Sequence, residues 1–297
     1  SGLLTVGFIR RHIHQPISRR MYLIVLAHYG IVNFILLLIP LVVMSANAFV
    51  VKNCSFTRGL MYYGLLPVVT MIFSISLAAA AGTLFRHARL IVVLIILGIL
   101  SHILVLTYTE PQLFAYNFVL GFFPGITYDE TLSDVSTLLV YREFTLIASL
   151  FFIMIFFLSV RMLWPDYKFH ENVQAFRIRK GDTALYGAAL LCLIVLAYGH
   201  FDRERLGFQY SDTDIQQQLG GRATTAHFVV YYSPVKLTDG ELQILKAEAE
   251  YTYSIVVSRL KESLHPGEKI SVYLYPSGES KHRFIGTSTT NIAKPWR

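Results

Sequence analysis

The side chains of this chain that could do chemistry are few and scattered. A hydrolytic zinc site of the H-E-x-x-H type sets two histidines one helical turn apart to hold the metal, with a glutamate between them to activate water. That motif is absent: His170 and Glu171 begin it, but Gln174 stands where the second histidine belongs. His200 and His227 have no cysteine, acidic cluster or second histidine at ligand spacing. The two cysteines, Cys54 and Cys192, suggest neither a disulfide nor a metal pair, because Cys192 lies within an apolar stretch. No phosphate-binding glycine loop and no G-x-S-x-G elbow occurs. The sequence thus offers no catalytic and no metal-ligating residue.

Polar groups do stand inside apolar stretches. His28, Asn33 and His102, with Ser101 beside the last, are costly in hydrocarbon unless paired, which makes the first three a candidate intramembrane polar site. Packing, or placement near an interface, is the competing reading for them. Tyr128, Asp129 and Glu130 follow a Gly/Pro-rich loop and form a candidate substrate-steering group. A loop that simply braces the helices is the plainer alternative.

The elements that must position these residues follow from composition. Apolar residues make up 54% and charged ones 15%, which removes the chain from the soluble globular class. Charge is absent from Tyr22–Val51, Gly59–Phe85, Leu90–Thr109, Phe144–Val160 and Thr183–Phe201. A helix needs about 20 residues to cross the hydrocarbon core, so five transmembrane helices are expected near 22–50, 60–84, 90–109, 144–162 and 183–201. Residues 111–128 are also uncharged, but Pro111, Gln112, Asn117, Gly121, Pro124 and Gly125 argue for an interfacial loop.

Orientation comes from the flanking cations. Eleven Lys and Arg fall in the segments before the first helix, between the second and third, and between the fourth and fifth; the opposite segments hold Lys52, Arg58 and Arg142. The N-terminus is therefore expected in the cytoplasm and everything after Asp202 outside. Of the net charge of +7, six fall in the membrane part before Asp202, so a nucleic-acid partner is not expected; the lipid bilayer is.

Residues 202–225 read as a linker containing a short helix capped by Ser211 or Asp212 and ended by Gly220 and Gly221. Ala226–Tyr232 alternates as a strand. Thr238 and Glu241 form a capping box that opens an amphipathic helix running to about Leu264, and Ile270, Val272 and Leu274 mark a second strand. A strand, a crossover helix and a strand favour parallel pairing. Two strands make an incomplete sheet, and the chain begins with Ser1, so an outer domain of α/β or α+β type, cut within residues 226–297, is expected.

The series HFVVYYSP, a capped helix, ISVYLYPSGES and GTSTTNIAKPW, over Ala226 to Trp296, resembles the opening of peptidase MA-like domains of the gluzincin zinc metallopeptidases. NFVLGFFPGITYDE, at Asn117 to Glu130, looks like a loop of prokaryotic polytopic proteins that carry such a domain outside. The resemblance implies a zinc-dependent peptidase in a prokaryotic cytoplasmic membrane, acting on a peptide or protein substrate. It implies that the zinc ligands and general base lie beyond Arg297, so this chain binds no zinc and supplies the anchor and the N-terminal scaffold. It also implies an edge strand after the IAKPW stretch that can receive peptide. The competing classes are a transporter or channel subunit with an outer accessory domain, supported by the intramembrane polar residues and the broken loop, and a non-catalytic receptor or assembly protein.

Overall fold

The computed structural model describes residues 7, 19–51, 55–123, 135–162, 183–261, 265 and 267–294. They fall into two compact units: Ser1–Leu106 with Ala115–Phe123 and Asp134–Phe208, and Thr107–Phe114 with Pro124–Ser133 and Gln209–Arg297.

The first unit contains five helices long and apolar enough to cross a membrane. They are α1 (Arg19–Asn47), α2 (Phe56–Leu84, with a π-helical turn at Gly64–Val68), α3 (Ala88–Thr109), α4 (Val135–Met162) and α5 (Thr183–Phe201). Ile39, Leu97 and Leu191 are more than half exposed on three of them, an arrangement costly in water and neutral in hydrocarbon. The tightest packing lies between α2 and α4. There Ala78 and Ala79 are fully buried, and Phe156 and Val160 close over Ala79, because small side chains let helix backbones approach. Buried hydroxyls donate back into their own helices, Ser149 to the Thr145 carbonyl and Ser159 to that of Ile155.

Two helices start earlier than the absence of charge suggests. α2 begins at Phe56 and includes Arg58; α4 begins at Val135 and includes Arg142 and Glu143. A charge ends an uncharged window without ending a helix. Within the 111–128 segment the structure has a hairpin, β1 (Ala115–Asn117) paired antiparallel with β2 (Gly121–Phe123), which agrees with reading this stretch as something other than a regular helix.

The second unit is built on a sheet. α6 (Asp212–Leu219) is opened by a Ser211 capping box and closed by Gly220 at φ 78°, in the left-handed region that glycine adopts at least cost. β3 (Gly221–Thr224) follows and pairs antiparallel with β4 (Phe228–Tyr232). Residues 202–225 are thus more than a linker, since they place a third strand in the sheet. α7 (Asp239–Leu260) crosses over, and β5 (Ile270–Tyr273) pairs parallel with β4 in the order β3-β4-β5. α7 ends four residues before Leu264, with Lys261 left-handed at φ 57°.

Strand alternation splits the core into two faces. Phe228, Val230, Val272 and Leu274 pack against Leu242, Ala249 and Tyr253 of α7. Tyr231, Tyr273 and Tyr275 pack on the other side with Ile215 and Leu219 of α6 and with Phe284 and Ile285 of α8 (Gly278–Ile285).

Candidate functional site

The polar residues singled out inside the apolar stretches do not gather. Asn33 is buried, and its Nδ2 donates to the Tyr29 carbonyl of its own helix at 2.7 Å. His28 and His102 are exposed on α1 and α3, and neither bonds to Asn33. Tyr128, Asp129 and Glu130 lie outside the described residues, as do Cys54, His170, Glu171 and Gln174.

The structure builds a different polar centre around Arg142. α4 carries a buried stripe of Leu138, Arg142, Thr145, Ser149 and Phe156 at helical spacing, and Arg142 is only 1% exposed. A guanidinium keeps its charge at any working pH, so inside an apolar bundle its partners decide whether it is tolerated. Its Nη2 donates to the Leu66 carbonyl at 2.8 Å and to Thr70 Oγ1 at 2.8 Å, and its Nη1 makes a longer contact to the Phe118 carbonyl at 3.4 Å. Thr70 in turn donates to the Val119 carbonyl at 2.7 Å, so one chain of hydrogen bonds links α4, α2 and the hairpin. The Leu66 carbonyl lies in the π-helical turn around Pro67. It also accepts from the Val69 amide, so this one oxygen takes both a backbone and a side-chain donor.

The hairpin is shaped to the guanidinium. Gly121 has φ 81°, and a Cβ there would stand 2.5 Å from the Arg142 guanidinium carbon. Only glycine meets both demands. Asn117, paired with Gly121, accepts from the Val119 and Leu120 amides at 3.1 and 2.6 Å and so closes the tip. Tyr141 packs with Tyr116, Phe118 and Phe208, at ring separations of 5.3, 5.7 and 4.9 Å, beside this network. Two buried donors find no acceptor among the described residues, Arg142 Nε and Asn117 Nδ2. Arg142 forms no ion pair there either.

Sequence reasoning passed over Arg142 by counting it as a loop cation. The signal was the stripe itself, because Thr145, Ser149 and Phe156 extended back by a turn land on Arg142 and Leu138.

In the second unit His227 is oriented by a carboxylate. His227 Nδ1 lies 2.7 Å from Glu250 Oε2, its backbone N–H donates to Oε1 at 2.9 Å, and its ring stacks on Tyr253 at 4.0 Å. The hydrogen bond from the His227 ring, then those from the Thr225 hydroxyl and the His227 amide, hold the Glu250 carboxyl down at about 2. A carboxylate-oriented imidazole is half of a zinc site or of an acid–base pair. The other half is missing: among the described residues no group of three or more His, Cys, Asp or Glu could hold a metal. The described residues do not fit zinc, and no chemical step follows from them.

Residues 107–114 belong to this unit and are tied into it. Gln112, fully buried, accepts from the Tyr210 amide and donates to the Phe114 carbonyl, each at 2.8 Å. Lys294 donates to the carbonyls of Thr107, Glu110 and Gln112, three acceptors for the three hydrogens of one ammonium. Burial pushes its amine down to about 8, against the pull of Glu110. Comparison with protein-family models, with curated proteins and with solved structures finds no match for this chain.

Proposed function

We propose that this chain is the membrane anchor and the N-terminal sheet scaffold of a zinc-dependent peptidase of gluzincin type, working on peptide or protein substrates outside a prokaryotic cytoplasmic membrane. The observation that carries the reading is the second unit's mixed sheet. A parallel β4–α7–β5 crossover beside antiparallel β3 lies in the stretch whose sequence resembles the opening of such domains. Five apolar helices supply the anchor. In this reading the zinc ligands and the water-activating glutamate come from chain beyond Arg297, and the described residues supply scaffold only. The test is made on the natural full-length protein in lipid: about one zinc per chain by elemental analysis, with cleavage of a denatured protein substrate lost on chelation and restored by zinc. A full-length protein without zinc and without cleavage removes the proposal.

The Arg142 centre favours a second reading, a transporter or channel subunit with an outer accessory unit. A buried cation among apolar helices, beside a π-helical turn and a non-helical hairpin, is the kind of feature that lines transport paths. Uptake or conductance across vesicles holding the full-length protein, lost with Arg142→Gln, distinguishes it from the peptidase.

A further inference from the structure

The two unpaired donors of the first unit lie on one side of the hairpin. Residues directly opposed in an antiparallel pair project to the same face. Asn117 is opposed to Gly121, and the Cβ direction of Gly121 runs into the Arg142 guanidinium, 2.7 Å from Nε. The Asn117 side chain therefore projects toward Arg142 as well. Its Oδ1 is already engaged by the tip amides, which leaves Nδ2 as its remaining group, and Nε is the remaining polar atom of Arg142 without an acceptor. Both side chains are more than nine-tenths buried, Asn117 at 5% and Arg142 at 1% exposed.

We infer that Arg142 Nε and Asn117 Nδ2 form a binding site for a small monoatomic anion of the chloride class. The charge argument selects an anion: Arg142 has carbonyl and hydroxyl partners but no carboxylate among the described residues, and a buried cation is stabilised most by an opposite charge. The geometry selects a small one. A carboxylate or phosphate is recognised by the guanidinium fork through two parallel N–H bonds, and both Nη atoms already donate to protein oxygens. Gly121 closes over the guanidinium, leaving no side chain to make way for a polyatomic group. One Nε–H and one amide N–H on the same face of the hairpin suit a halide better than a polyatomic anion. Water fits the donors but leaves the charge uncompensated.

The experiment uses the full chain in nanodiscs of neutral lipid, titrated with chloride at ionic strength held constant by gluconate, so that screening does not change. Thermal unfolding of the wild type is expected to rise with the logarithm of chloride concentration above half-saturation of the site, by roughly 2–4 °C at tenfold excess. Line broadening in the ³⁵Cl spectrum should accompany it. Asn117→Asp keeps the tip acceptor and supplies the missing negative charge, so it should stand in gluconate where the wild type stands in chloride, with neither a chloride response nor line broadening. Should that variant fold poorly, Asn117→Ala serves instead, with half-saturation moved about tenfold higher. A wild type indifferent to chloride overturns the inference and gives the two donors to water or to a carboxylate of the chain. A response unchanged in the Asn117 variants overturns it too.

Discussion

Arg142 and Gly121 constrain each other through both space and backbone conformation. Gly121→Ala places a Cβ at φ 81° against the guanidinium, which should cost roughly 2–4 kcal/mol, part backbone strain and part overpacking. The two parts separate in a double-mutant cycle. In an Arg142→Ala background the overpacking disappears, and the same change should cost only about 1–2 kcal/mol, read from unfolding midpoints. Equal costs in both backgrounds would show that the guanidinium does not constrain Gly121. At Glu250 the prediction concerns pH. Its carboxyl sits at about 2 in the folded chain against 4.5 ordinarily, so the folded state binds the proton less tightly than the unfolded state. The resulting stabilisation is present above about pH 4.5 and is lost as pH falls from there toward 2. Glu250→Gln should therefore flatten the stability of the second unit over this acid range. Denaturant titrations at several pH values check it, and parallel curves for wild type and variant would refute it.

Among the elements, α7 owes its start to local chemistry that the sequence displays. The Thr238 hydroxyl accepts from the Glu241 amide at 3.4 Å, and the Glu241 carboxylate accepts from the Thr238 amide at 2.9 Å. Thr238→Ala should cost about 1 kcal/mol, seen as faster amide exchange in the first turn of α7 with the β4–β5 pairing intact. Unchanged exchange would mean that packing of Leu242 alone fixes the helix start. For α6 the sequence left the cap between Ser211 and Asp212, and the structure uses Ser211, boxed with Asp214. β3 was not, because Gly221, Arg222, Ala223 and Thr224 carry no alternation of large apolar side chains. Its existence depends on register with Tyr232, Tyr231, Val230 and Val229 across the turn. The π turn at Gly64–Val68 was likewise hidden: Pro67 marks a missing N–H, but a kink, a break and a π turn all begin that way.

For the whole molecule the testable statement is orientation. The distribution of flanking cations predicts an N-terminus in the cytoplasm and a second unit outside. A membrane-impermeant thiol reagent should label a cysteine introduced at Ser211 and leave one at Gln174 unlabelled in intact cells. The reverse pattern would refute both the orientation and the extracytosolic peptidase. Arg142 weakens the count slightly, since a cation buried inside α4 is no longer a flanking charge, but removing it leaves eleven against two.

Five long apolar stretches, the capping box of α7, the start of α6 to within one residue, and the alternation of β4 and β5 were legible from the sequence alone, because each rests on composition or on local pattern within one element. The breaks at Pro111, Asn117 and Gly121 were legible as a departure from regular helix, and the hairpin of residues 115–123 has that character. What only the tertiary structure decided is which polar residues matter. Asn33 turned out to be satisfied within its own turn, His28 and His102 stayed on the surface, and Arg142 became the centre of a network. The physical reason is that the partners of Arg142, namely the Leu66 carbonyl, Thr70 and the Phe118 carbonyl, stand 76, 72 and 24 residues away along the chain. Two of the three acceptors are backbone oxygens, one in a π turn and one at a hairpin tip, and no pattern of side chains records where they stand.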